Sequence, residues 1–248
     1  MPAHPPRDQT ATAPAPPAPR VVARRKSEID AALRTIFAQI EDSRASALPS
    51  VLISGTIRCG KTKVANKLSR RTGLVHIKTD EIRNALYLDV SETDKRRIVK
   101  YVFRRLLLRF PNGILIDGTA LMDAPCELPL WASKRGFAFH AIGYSFEKPK
   151  AKHRDLLAYR AMASCWTKRS KSDDEMLRFA RRLIRRSQEI KHFCKAHGLS
   201  YFDLDSSAFD SERDRILRSI ERDLRARTPG NVARLRSWIQ KGPTGGTG

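Results

Sequence analysis

The chain has 248 residues, 41% of them hydrophobic, which is enough for one α/β core of ordinary size and leaves little room for two independent domains. Lysine and arginine number 48 against 26 acids, and the net charge of +22 attracts phosphate-rich partners, leaving nucleic acid, an anionic membrane surface and an anionic small substrate open. Cys59, Cys126, Cys165 and Cys194 form no C-x-x-C pair, which argues against a zinc site or a disulfide framework, and no apolar run approaches the ~18 residues of a membrane span; a reduced, cytoplasmic protein is expected.

Residues 1–25 read as a disordered tail, since seven of the chain's 14 prolines fall in the first 20 positions. Residues 26–48 read as an amphipathic helix, with Ile29, Leu33, Ile36, Phe37 and Ile40 at helical spacing. One domain is expected over 50–227. In it the apolar runs Val51–Ser54, Leu74–Lys78, Ile114–Ile116, Phe137–Tyr144 and Tyr201–Leu204 alternate with longer helical patterns. That alternation predicts an α/β fold with a parallel sheet covered on both faces. Ser91 with Asp94, and Ser172 with Glu175, stand at capping-box spacing, and Gly198 suits the end of the second of these helices. Residues 228–248 are expected to be a flexible tail.

The pattern G-x-x-x-x-G-K-[ST] occurs as Gly55-Thr56-Ile57-Arg58-Cys59-Gly60-Lys61-Thr62, with a strand running in and a helix running out. The two glycines let the backbone double back so that its N–H groups meet phosphate oxygens at the positive end of a helix. Lys61 would contact the β- and γ-phosphates of ATP, and Thr62 would place its hydroxyl on Mg²⁺. Arg58 and Cys59 fill permissive positions.

At the end of the second strand, Asp80 and Arg83 stand one helical turn apart. A carboxylate there can take the proton of an attacking hydroxyl, and an arginine can hold an anionic group of the acceptor. By spacing alone, Asp80 as a helix N-cap with Arg83 merely solvated is the alternative. Asp117 ends the buried strand Ile114-Leu115-Ile116, where an acid assisting a metal belongs.

Together, the phosphate-loop segment, the D-x-x-R of Asp80 and Arg83, and the strand ending Asp117-Gly118-Thr119 resemble the small P-loop kinases related to polynucleotide 5′-hydroxyl kinases and zeta-toxin-type kinases, over about residues 50–205. The resemblance implies a P-loop NTPase three-layer sandwich with a five-stranded parallel sheet in the order 2-3-1-4-5, flanking helices and a helical lid at about 148–172. It also implies Asp80 as general base, Arg83 as acceptor ligand and Asp117 near the metal. Lid arginines would close on the phosphates; the candidates are Arg154 and Arg160, with Lys168 and Arg169 behind them, although a solvated helix face gives the same pattern. Residues 148–197 carry 15 lysines and arginines against five acids.

The leading expectation is therefore a kinase moving the γ-phosphoryl of Mg·ATP to a hydroxyl, on a nucleic-acid 5′ end or on a small molecule. An ATP-regulated protein that binds nucleic acid or another protein, through the basic helix of residues 173–197, is the second expectation. A membrane-surface module is a third, disfavoured because that helix has an apolar face suited to a core.

Overall fold

In the computed structural model the described residues are 22–23, 25–43, 46–85, 91–122, 126–160 and 172–228. Five strands form one parallel sheet: β1 (Val51–Gly55), β2 (Val75–Lys78), β3 (Ile114–Asp117), β4 (Ala138–Gly143) and β5 (Ser200–Asp203). Their order is β2-β3-β1-β4-β5, the order the resemblance implies. Eight helices of the described residues surround the sheet: α1 (Lys26–Asp42), α2 (Lys61–Thr72), α3 (Thr79–Ala85), α4 (Glu92–Arg109), α5 (Glu127–Ser133), α6 (Pro149–Arg160), α7 (Asp173–Ala196) and α8 (Phe209–Ala226). No described helix is long and apolar enough to cross a membrane.

The continuous apolar runs of the central strands follow from burial on both faces. Successive side chains alternate between two cores: Leu52, Ile114, Ile116, Phe139 and Ala141 pack against α1, α4 and α5, while Val51, Ile53, Leu115 and Ile142 pack against α2 and α8. Helix α7 serves both, through Ile190 and Cys194 on the first core and Met176, Ala180 and Leu183 on the second. Both capping signals form as read. Ser91 accepts from the Asp94 N–H at 3.2 Å, and at Ser172 the reciprocal box with Glu175 is complete.

Because every strand runs the same way, Gly55, Lys78, Asp117, Gly143 and Asp203 end at one edge of the sheet. Register sets their neighbours. Asp117 pairs with Ile53 on one side and Lys78 on the other, which brings the acid beside the strand that feeds the glycine-rich loop. Residues 161–171, which include the lid candidates Lys168 and Arg169, lie outside the described residues, as do the first 21 residues and the last 20.

Candidate active site

The central strand β1 is buried along its whole length and delivers Gly55 at the sheet edge. A Cβ on Gly55 would stand 1.9 Å from the Ile142 carbonyl oxygen of β4, so only glycine lets the chain leave the strand against its neighbour. Arg58 then adopts φ 62°, a left-handed conformation that residues with a Cβ seldom take, and Gly60 follows at φ 76° as the N-cap of α2. These reversals give the loop the concave form whose successive N–H groups receive an anion, here at the positive end of α2. The Lys61 ammonium lies back across the loop, donating to the Thr56 carbonyl at 3.1 Å. Thr62, the next residue of the helix, is exposed.

A buried polar scaffold holds this loop from behind. Tyr144, the residue after β4, is fully buried and its hydroxyl donates to the Ile57 carbonyl. Burial pushes the phenol pKa up, which keeps that hydroxyl a donor. The Tyr144 N–H donates to Ser187 Oγ at 3.2 Å, and the same Oγ lies 3.2 Å from Thr56 Oγ1. Above the Tyr144 ring, at 3.7 Å from its centroid, sits the ammonium of Lys152, a lysine only 4% exposed. Burial lowers its pKa, and the carboxylates of Glu147 and Asp155 act against that shift. Cys59 is fully buried in the loop's inner wall. Thus Ser187 of α7 meets the phosphate loop directly, and Lys152 of α6 covers the tyrosine that supports it.

Asp117 is 2% exposed at the end of β3. Its Oδ1 lies 3.4 Å from His76 Nε2, while Oδ2 has no hydrogen-bond partner among the described residues. His76 is fixed in turn through Nδ1, 2.9 Å from Asn66 Oδ1 on α2. A buried carboxylate oxygen left unpaired is costly unless a cation or donor completes it. The residues present therefore fit a divalent ion, with Asp117 Oδ2 and the Thr62 hydroxyl as oxygen donors of the type that magnesium takes.

Asp80 is exposed in the first turn of α3, directly after β2. Beside it the Lys78 ammonium donates to Glu81 Oε1 at 2.7 Å, a hydrogen bond that, with the Glu81 charge, raises the lysine pKa. The backbone of Arg83 lies in α3, but its side chain is outside the described residues, and the same holds for Arg160 at the end of α6. Arg154 is exposed, on the face of α6 away from the buried Lys152 and Leu156. Tyr144, Lys152, Ser187 and His76 escaped the sequence reading. Ser187 left a signal, because it interrupts an apolar stripe between Leu183 and Ile190 where a polar residue needs a reason. The others carried none, since their partners are distant in sequence.

No protein-family model matches the sequence, and no curated protein matches it. Among solved structures, shikimate kinase from Bacteroides thetaiotaomicron aligns with a TM-score of 0.51 at 16% identity, over 70% of this chain and 99% of that one. Shikimate kinase from Acinetobacter baumannii in complex with shikimate aligns at 0.48 and 14% identity, over 71% and 94% of the two chains. Deoxyadenosine kinase from M. mycoides with bound dATP aligns at 0.40 and 13% identity, over 69% and 99%. The likeness to the Bacteroides shikimate kinase shows the fold alone: a five-stranded parallel sheet in the order 2-3-1-4-5 with flanking helices.

Proposed function

We propose that the protein is an ATP-dependent phosphotransferase that moves the γ-phosphoryl group of Mg·ATP to a hydroxyl. The observation that carries this reading is the phosphate loop on β1 with a buried carboxylate, Asp117, paired in register beside that strand and with no hydrogen-bond partner for its Oδ2 among the described residues. In this reading the amides of the loop and the Lys61 ammonium bind the triphosphate and stabilise charge as the group transfers. Asp117 and the Thr62 hydroxyl would hold magnesium, which would supply positive charge against the phosphate oxygens. Asp80 takes the proton of the acceptor hydroxyl. The acceptor oxygen bonds to the γ-phosphorus, the bond from that phosphorus to its bridging oxygen breaks, and ADP leaves with the electron pair. Arg83 holds the acceptor, and Arg154 and Arg160 close over the phosphates.

The acceptor is either a nucleic-acid 5′-hydroxyl or a small hydroxyl compound. Radiolabelled ATP offered with 5′-hydroxyl RNA, with DNA and with a panel of small alcohols, sugars and nucleosides tests the reading. Wild type should label one class, whereas Lys61→Ala and Asp80→Asn should not. Slow ATP hydrolysis with no labelled acceptor, combined with an ATP-dependent change in RNA affinity, would replace the kinase by a nucleotide-controlled binding protein. Loss of transfer in Lys61→Ala alone would remove Asp80 as the base.

A further inference from the structure

Helix α7 turns its buried stripe of Met176, Ala180, Leu183, Ser187, Ile190 and Cys194 toward the core. Arg178, Arg181, Arg182 and Arg185 stand at the i, i+3, i+4, i+7 spacing of the opposite face. All four are exposed, and together they line a shallow concavity of about 380 Å³. This face points away from Ser187 and hence from Thr56 and the phosphate loop. None of the four makes an ion pair among the described residues, and Arg182 lies over the ring of Phe179 at 5.8 Å. Some other arginines are neutralised locally: Arg186 by Glu189, Arg215 by Glu212 and Arg227 by Asp223. Like charges at this spacing repel and cost helix stability, so a face that its own helix leaves uncompensated carries the footprint of an anionic partner.

We propose that this arginine face is a docking site for the phosphate backbone of a polynucleotide, separate from the phosphate loop. The chemistry of the face selects among polyanions. Guanidinium forks match phosphate oxygens bidentately, and every position here is arginine rather than lysine. A protein partner would look for an apolar or aromatic centre within a polar rim, and the ring of Phe179 is buried beneath Arg182. An interfacial membrane helix pairs its basic face with an apolar face that inserts, but the apolar stripe of α7 is committed to the core. The eight residues from Arg178 to Arg185 rise about 10 Å, the span of about four phosphates at the axial spacing of one strand. Docking there needs neither ATP nor a free hydroxyl, so it stands apart from the proposed phosphotransfer.

The test is fluorescence anisotropy of the full chain with a 5′-phosphorylated single-stranded RNA of about 20 nucleotides, without ATP, across about 50–200 mM salt. The fourfold variant with Arg178→Gln, Arg181→Gln, Arg182→Gln and Arg185→Gln should bind at least about tenfold more weakly and lose about 3 from the slope of log affinity against log salt. A control removing the same charge from other exposed positions, with Arg70→Gln, Lys195→Gln, Arg218→Gln and Arg222→Gln, should keep that slope within about 1. If the fourfold variant does not fold, Arg181→Gln with Arg185→Gln is read on the same scale, with an expected slope loss of about 1.4. Equal losses in the arginine-face variant and the control, or no loss in either, would overturn the site. Equally tight wild-type binding of polyglutamate would do so as well, by pointing to an acidic protein. The fourfold variant should bind Mg·ATP, read as a thermal shift, as wild type does, so that failure of docking and failure of phosphotransfer are read separately.

Discussion

Lys61 illustrates how one side chain separates activity from stability. Its ammonium makes one hydrogen bond, to the Thr56 carbonyl, at a partly open position, so the folded chain depends on it little. Lys61→Ala should therefore leave the thermal midpoint nearly unchanged while phosphoryl transfer falls by about 100-fold or more, a split that calorimetry and single-turnover kinetics would check. Gly55 is the opposite case. Gly55→Ala drives a Cβ to 1.9 Å from the Ile142 carbonyl oxygen, a backbone atom that cannot rotate aside, and urea unfolding should show a loss of about 3 kcal/mol. Beside β4, Asp223 lies 3.3 Å from His140 Nε2 and accepts from Arg227 Nε at both carboxylate oxygens, 2.9 Å each. The imidazole first, and then the guanidinium, holds its pKa down at about 2. A depressed carboxylate stabilises the fold above its unfolded pKa and loses that contribution as pH falls through the folded value. Asp223→Asn should thus cost about 2 kcal/mol at neutral pH and almost nothing near pH 2, as urea titrations at the two pH values would show.

At the scale of elements, the phosphate loop is held by the end of β4 and by α7, both remote from it in sequence. Tyr144, at the entry to α6, donates to the Ile57 carbonyl, and Ser187 on α7 meets Thr56. Tyr144→Phe keeps the ring beneath Lys152 but leaves the Ile57 carbonyl without that donor. The loss is about 1 kcal/mol of loop order. If the loop binds ATP, the KM for ATP should rise about fivefold with kcat little changed, and nucleotide-dependent kinetics would reveal it. The complete capping box at Ser172 begins α7 immediately after residues 161–171. Ser172→Ala should lower stability by about 1 kcal/mol, measurable in urea, without moving the arginine face lower on the helix.

Over the whole molecule, ligand binding and stability are linked. If the loop receives Mg·ATP, saturation at about 100 times Kd adds about 2.7 kcal/mol to the folded state, and a domain of this size should gain about 5–10 °C in thermal midpoint, with Lys61→Ala gaining much less. Much of this architecture was legible in the chain. A glycine-rich loop between an apolar strand and a helix, five β-rich runs alternating with helical periods, and two capping boxes are local patterns, and local physics suffices to read them. The ends of all five strands fell within about a residue or two of the runs, as helix and strand boundaries usually do. What the sequence by itself determined is thus the phosphate loop and the alternating sheet, because backbone conformation and hydrophobic period act over a few residues. Only the tertiary structure decided that His76, fixed by Asn66, meets Asp117, that Tyr144, Lys152 and Ser187 support the loop, and that four arginines form one exposed face. Those relations join residues far apart in the chain or depend on which side of a helix the core claims, and folding alone supplies that information.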